Sequence, residues 1–415
     1  MAKRTPIEGR VRAVGRGGDG VVETAAGIVL TPGCLPGERV KIEADGSRRG
    51  VSRGRLLRVT EPSERRVDAR CELADRCGGC PLMIAAPSLA EEIKEGFLEH
   101  ACAGLPGADD TRLQWVESGK RFGYRRRARL AWHGHTLGYR RRNSSRVLDV
   151  PTCVVLEEAL QAGWEATREI LGPVLAGRGE ILVSRSGTRA TIAIRSEDEQ
   201  PPGLFAACEV LAGHSAVAGV EMRVRGGAPA SWGDVTVTMR GYDDSPMLVP
   251  PGAFTQANDD VNIALVDAVV RLAAPKDERV LELHCGVGNF TMALARDAKT
   301  LVAIERDPGA VRACQANLAA RSLEARVVAA DANDPPKGRY DVIVLDPPRQ
   351  GARTFFENHD AWIKAKRIVY VSCDTATLRR DLQLACAKGF RLDEKIAFDM
   401  FPQTAHVESV IRLVR

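Results

Sequence analysis

The chain has 415 residues, 44% of them hydrophobic and 27% charged, with a formal net charge of +5. That length accommodates two or three domains with cores of their own. It holds no apolar run of about 18 residues, and the opening MAKRTPIEGR lacks the apolar stretch of a secretory signal, so the expectation is a cytoplasmic protein with no membrane association.

Residues 6–60 alternate short apolar runs with Gly-Gly-Asp-Gly and Pro-Gly turn signals, which predicts a small all-β barrel over 1–62. Residues 1–66 carry an excess of about six positive charges. Next comes CELADRCGGC, residues 71–80, with the spacing C-x5-C-x2-C. The chain has 11 cysteines, and several, such as Cys208, Cys314 and Cys386, stand alone in apolar surroundings. In a reducing compartment those are small core residues, so the tight triplet points to a metal rather than a disulfide. Thiolates suit zinc and iron–sulfur clusters alike, and the spacing by itself leans to zinc, the common choice of small nucleic-acid-binding modules. SLAEEIKEGFLEHA, residues 88–101, predicts a helix with Ser88 and Glu91 at capping-box spacing, placed to pack on the C-terminal domain.

Residues 120–146 contain ten Lys and Arg and no acidic residue, with Phe122, Tyr124, Trp132 and Tyr139 interleaved. Cations neutralise phosphates and aromatic faces stack on unpaired bases, so this stretch predicts a nucleic-acid surface. Up to residue 250 the pattern is mostly strands with helices between them, which makes 63–250 a central α+β domain.

From 251 to 415 apolar strands alternate with helices, beginning with a period-3.6 helix capped by Asn258, which predicts a doubly wound α/β domain. Its first strand-to-helix junction, LELHCGVGNF, sets Gly286 and Gly288 where a ligand meets the strand end. Glu305, at the end of the second strand, suits ribose hydroxyls. The third glycine of a dinucleotide fingerprint is missing, so an adenosine cofactor without a pyrophosphate, S-adenosylmethionine, fits better. The fourth strand ends in DPPRQG, residues 346–351. The fifth ends in Cys373, followed by Asp374 or Thr375 as a helix cap, a position that favours the thiolate. A thiolate adding to carbon 6 of uracil makes carbon 5 nucleophilic toward a methyl group, and a base must then remove the carbon-5 proton. Glu408, in FPQTAHVESV, offers that base, with His406 two residues before it.

Taken together, PGCLPGERV, CELADRCGGC, YRRRARL, LGYRRRNSSRVLDVPTC, FTQAN, LELHCGVGNF, DPPRQGA, VSCDTATLRRDL and HVES resemble, in order and over nearly the whole chain, the RNA uracil-C5 methyltransferases that carry a TRAM domain and an iron–sulfur site. The resemblance implies a TRAM-type barrel, a central domain with a four-cysteine cluster site and a class I methyltransferase domain. It makes Cys373 the nucleophile and Glu408 the base. Gln256, His284, Asn289, Glu305, Asp331 and Asp346 fall where the family contacts S-adenosylmethionine. Cys71, Cys77, Cys80 and Cys153 match the ligands of a [4Fe-4S] cluster, which reverses the leaning to zinc. The chain departs from the family in having His284 for an aromatic residue, Asp374 for Asn, and Pro81 after the last clustered cysteine. The expected substrate is 23S ribosomal RNA, with transfer RNA as the alternative and no obligatory protein partner. A catalytically silent RNA-binding factor and a radical methylthiotransferase are remoter readings. The first is disfavoured by the intact Cys373 and Glu408, the second by the cysteine spacing.

Overall fold

A computed structural model describes residues 6–48 and 51–415; the N-terminal MAKRT, on which the expectation of no signal partly rests, lies outside them. Five strands, β1 (Ile7–Val14), β2 (Asp19–Thr24), β3 (Gly27–Pro32), β4 (Arg39–Arg48) and β5 (Val51–Glu61), close into a barrel. Val11, Val22, Val29, Val40 and Ile42 fill it, as the alternation of its strands predicts.

Helix α1 (Pro87–Cys102) and strand β6 (Leu113–Val116) follow the cysteine segment. The central sheet then begins with β7 (Arg127–His133), β8 (Thr136–Arg140) and β9 (Val147–Asp149). It continues through α2 (Glu158–Leu171), β10 (Arg178–Ser186), β11 (Arg189–Ser196), α3 (Pro202–Ala212), β12 (Val217–Val224) and β13 (Ala230–Gly233). The seven strands run in the order β13-β12-β11-β10-β7-β8-β9. A separate hairpin, β14 (Val237–Arg240) and β15 (Pro246–Val249), leads to helix α4 (Asp259–Ala273).

The C-terminal sheet is built from β16 (Arg279–Leu283), β17 (Thr300–Glu305), β18 (Arg326–Ala329), β19 (Val342–Leu345) and β20 (Arg367–Ser372). Helices α5 (Thr291–Ala295), α6 (Pro308–Ala319), α7 (Arg353–Asn358) and α8 (Thr375–Cys386) lie between or after these strands, and β21 (Arg391–Phe398) and β22 (Glu408–Val414) end the chain. The strand order is β18-β17-β16-β19-β20-β22-β21-β6, with β16 to β20 parallel and β22 antiparallel. In β19, Val342 and Val344 face one core with α4 and α5, and Ile343 and Leu345 face the other with α1, α7 and α8. Covering both faces is what lets these strands be apolar throughout.

Helix α1 packs on the C-terminal core through Leu98 and Cys102, where the sequence reading placed it. Two features differ from the sequence reading. The edge strand β6 pairs in parallel with β21, so the interval 63–250 contributes a strand to the C-terminal sheet as well as to the central one. The capping box at Ser88 does not form: α1 starts at Pro87, after Ala86, without a side-chain cap. Proline at the first helical position sets φ without losing a useful donor, so the cap moves two residues upstream, from Ser88 to Ala86. Asn258 does cap α4, accepting from the Val261 N–H, and Asp374 caps α8, accepting from Ala376 and Thr377.

Candidate active site

The order of the C-terminal sheet reverses at β16, with β17 on one side and β19 on the other. Open parallel sheets bind ligands in the crevice at such a point, beyond the carboxyl ends of the strands. His284 follows β16, Glu305 ends β17, Asp331 follows β18, Asp346 follows β19 and Cys373 follows β20. Topology thus gathers residues scattered over 90 positions onto one edge.

On the β16 side, Gly286 donates its N–H to Glu305 Oε2 at 3.1 Å, and Asp307 N–H bonds the other oxygen at 2.8 Å. Gly286 has φ +57° and His284 φ +62°, left-handed conformations that turn the chain sharply at the strand end. Burial pulls the His284 pKa down against the opposing charges of Glu305 and Asp331, leaving a neutral ring. Asn289 and Asn262 exchange side-chain hydrogen bonds at 3.0 and 2.9 Å, tying the crevice to α4. Gln256 is buried at the entry to α4 and makes no hydrogen bond to this group. Asp331 is exposed, its carboxylate accepting from the Asn333 N–H.

At the β20 end, Ser372 pairs with Ser409, and the same antiparallel register carried one step further sets Cys373 opposite Glu408. Glu408 is 3% exposed. Burial, the Glu408 charge and the Asp346 charge push the Cys373 thiol up to about 12, while Arg349 opposes them. This direction runs against the expectation of a resting thiolate. The cap of α8 is too weak a counterweight to burial and two carboxyl groups brought in from distant strands. Burial and Asp346 likewise raise Glu408 well above the carboxylate range, again against Arg349, and burial lifts Asp346 to about 7. Asp374, which stands where the family has Asn, commits its carboxylate to two helix N–H groups. Cys373 opens on a cavity of about 440 Å3 shared with Arg349, His406 and the start of α8. Burial and the cation Arg349 hold His406 down near 4, so its ring is neutral.

Sequence reading passed over Glu282, a carboxyl buried in β16 and pushed up to about 8 by burial, and Lys94, buried on α1. A charged residue inside an apolar strand was the available signal for the first. For Lys94 there was none.

The basic stretch 120–146 is only partly a surface. Tyr124 and Trp132 are buried, and Arg126 is internal, paired with Asp259 on α4. The Phe122 ring is covered by the Arg70 guanidinium. The aromatics that were to stack on bases are packing residues: Trp132 faces the central core by the alternation of β7, Tyr139 packs against the same core, and Phe122 and Tyr124 pack beside the cysteines. Arg129, Arg140, Arg141 and Arg146 remain exposed.

Cys71, Cys80 and Cys153 share one cluster with Met83, Tyr124 and Val155, and all four candidate ligand cysteines are free of disulfides. Gly79 N–H points at Cys77 Sγ at 3.4 Å. Among the described residues, no three His, Cys, Asp or Glu side chains converge closely enough to hold a single metal ion. No described helix is long and apolar enough to cross a membrane.

Comparison with known proteins agrees with this geometry. Residues 245–367 match the Methyltransferase small domain family, and residues 337–415 match the tRNA (Uracil-5-)-methyltransferase family. The chain is 34% identical to the 23S rRNA (uracil(1939)-C(5))-methyltransferase RlmD of Pseudomonas putida, covering 91% of this chain and 87% of that one. It is 33% identical to the protein of the same name from Alkalilimnicola ehrlichii, covering 98% and 96%. Among solved structures, the Pyrococcus abyssi tRNA (uracil-54, C5)-methyltransferase in complex with S-adenosyl-L-homocysteine shares the fold with a TM-score of 0.76, at 23% identity over 98% of this chain and 100% of that chain. With relatives at this identity over nearly its full length, and a strand-end cysteine facing a buried glutamate, the chain belongs to the 23S rRNA (uracil-C5)-methyltransferase family.

Proposed function

We propose that the protein methylates carbon 5 of a uridine in 23S ribosomal RNA, with S-adenosylmethionine as donor, through a covalent adduct on Cys373. The observation that carries this reading is the juxtaposition of Cys373 and Glu408 across β20 and β22 beside Asp346. In the first step the Cys373 sulfur bonds to uracil carbon 6 and its proton is released to solvent, which leaves Glu408 free to act as base. Carbon 5 then takes the methyl group. Glu408, unprotonated at that stage, removes the carbon-5 proton, and the sulfur leaves as the ring double bond re-forms. Burial serves the last step, since a glutamate with a raised pKa is a stronger base than an ordinary carboxylate. Glu305 and Asp331 are suited to polar groups of the cofactor nucleoside, and Gln256, His284, Asn289 and Asp346 complete its surroundings. The target must leave any base stack to reach Cys373.

The 23S substrate, and a cytoplasmic location with it, rest on the relatives named for that RNA. The transfer RNA reading draws on the Pyrococcus abyssi fold match, which is the more distant in sequence. Cys71, Cys77, Cys80 and Cys153 would hold a [4Fe-4S] cluster, stabilising the segment between barrel and central sheet. Four free thiols support it, three of which, Cys71, Cys80 and Cys153, pack in one cluster. Anaerobically purified protein should be brown, with four cysteine-bound irons; a colourless zinc preparation would overturn the assignment. For the reaction itself, Glu408→Gln incubated with RNA and S-adenosylmethionine should accumulate a protein–RNA adduct on denaturing gels. Loss of that band in Cys373→Ala/Glu408→Gln ties it to the thiol, and absence of any adduct would move the base elsewhere.

A further inference from the structure

The cavity at Cys373 is not lined by the methyltransferase layer alone. Arg16 and Gly17, from the turn between β1 and β2 of the N-terminal barrel, form part of its wall. Several contacts hold this turn in place. Gly18 has φ +83°, and a Cβ there would lie 2.3 Å from the Pro81 side chain and 3.6 Å from Ala405. Val14 and Leu35 of the barrel share a buried cluster with Leu82, Ala85, Leu89 and Ala405. Leu82 N–H in turn bonds the Gln403 carbonyl at 2.9 Å. The barrel turn is thus packed against the loop that carries His406 and leads into Glu408.

Among the described residues Arg16 has one ionic contact, to Asp374 at 3.5 Å, and its side chain is 55% exposed. The Asp374 oxygen it approaches already accepts the Ala376 and Thr377 N–H groups. The half-exposed guanidinium in the cavity wall therefore keeps donors for a ligand. His406 is neutral, so Arg349 and Arg16 are the cations at this opening. An arginine fork is matched to a phosphate, and a nucleotide whose base reaches Cys373 must carry its backbone past the rim.

We propose that the barrel turn is a built-in part of the catalytic pocket and that Arg16 binds a backbone phosphate of the RNA at or beside the target nucleotide. This rests on the RNA-substrate reading above, and it gives the barrel a role at the reacting nucleotide as well as in holding RNA at a distance.

The test uses full-length protein and a 23S rRNA transcript, with Arg16→Ala and Arg16→Lys. Arg16→Ala should raise KM for RNA about tenfold, as expected for a charged hydrogen bond near the surface, with a much smaller change in kcat. The slope of log binding constant against log salt should become shallower by roughly 0.7, the loss of one phosphate contact on single-stranded RNA. Arg16→Lys should restore the salt slope and part of KM. An Arg16→Ala protein with wild-type KM and salt slope would overturn the proposal, and so would one that loses kcat alone, which would mean the turn merely props the loop. Wild-type protein that binds the transcript but never methylates it would count against the functional reading, while the salt slopes would still decide the role of Arg16.

Discussion

Replacing Lys94 by methionine probes how the loop before Glu408 is held. Lys94 is 1% exposed on α1, and its ammonium donates to Asp399 at 2.5 Å and to the Phe401 carbonyl at 3.0 Å. Asp399 is 4% exposed and follows β21 directly. Burial lowers the Lys94 pKa, and the Asp399 charge pulls it back up, so the pair stands on mutual compensation. Methionine fills the same space but takes the ammonium from the Asp399 carboxylate, whereas the Phe401 carbonyl keeps the Thr404 N–H and hydroxyl as donors. Removing one member of a buried pair costs about 3–5 kcal/mol, whereas replacing both by apolar residues of similar volume is close to neutral. Urea unfolding of Lys94→Met, Asp399→Leu and the double variant closes the cycle. Each single variant should lose about that much, and the double should lie well above either one. Adduct formation at Cys373 should slow in the single variants, since the loop between β21 and β22 delivers Glu408. A Lys94→Met protein within about 1 kcal/mol of wild type, or a double variant as unstable as the singles together, would refute the reasoning.

Further outcomes follow from the other buried groups. Glu282 is pushed up to about 8 by burial, the Thr291 hydroxyl opposing and the Asp346 charge adding, and neither carboxylate oxygen has a hydrogen bond of good geometry. The folded protein therefore retains a proton that the unfolded chain releases above about pH 4.5, so this group's contribution falls as pH rises from there to about 8. Glu282→Gln should match wild type in urea-unfolding free energy near pH 5 and exceed it near pH 9, by up to roughly 5 kcal/mol; an equal pH slope in both proteins would contradict this. The single-turnover rate should rise with pH, because the thiol near 12, the raised Glu408 and Asp346 near 7 all act or assist unprotonated. A profile that peaks below neutrality would count against these groups. Cys373→Ala should abolish methylation and leave RNA affinity within about twofold, measured by filter binding, since a thiol adds little to phosphate-dominated binding.

The barrel, the parallel sheet and the helix caps at Asn258 and Asp374 were legible because each follows from local turn chemistry or a residue's own neighbours. The positions of Cys373, Glu305 and Asp346 at strand ends were legible for the same reason. What the sequence hid was set by contacts between distant segments. Tyr124 and Trp132 look like stacking platforms beside arginines, yet alternation along β7 turns Trp132 into the central core, and Tyr124 is held under the catalytic loop by its bond to the Pro402 carbonyl at 3.0 Å. The thiol at Cys373 was read from the helix start beside it, whereas the Glu408 and Asp346 charges arrive from β22 and β19 and act the other way. Strand β6 joins the C-terminal sheet across 282 residues of sequence, and Lys94 finds Asp399 across 305. Neither pairing has a local signal. The four cysteines were collected by resemblance, since Cys153 alone reads as an ordinary core residue.

Tritium release from RNA labelled at uracil carbon 5 tests the central claim most directly, because it requires both attack at carbon 5 and loss of its proton. With S-adenosylmethionine and unmodified 23S ribosomal RNA, release should match methyl incorporation one for one and vanish in Cys373→Ala. Methyl incorporation without tritium release would put the methyl group elsewhere on the RNA and contradict the account.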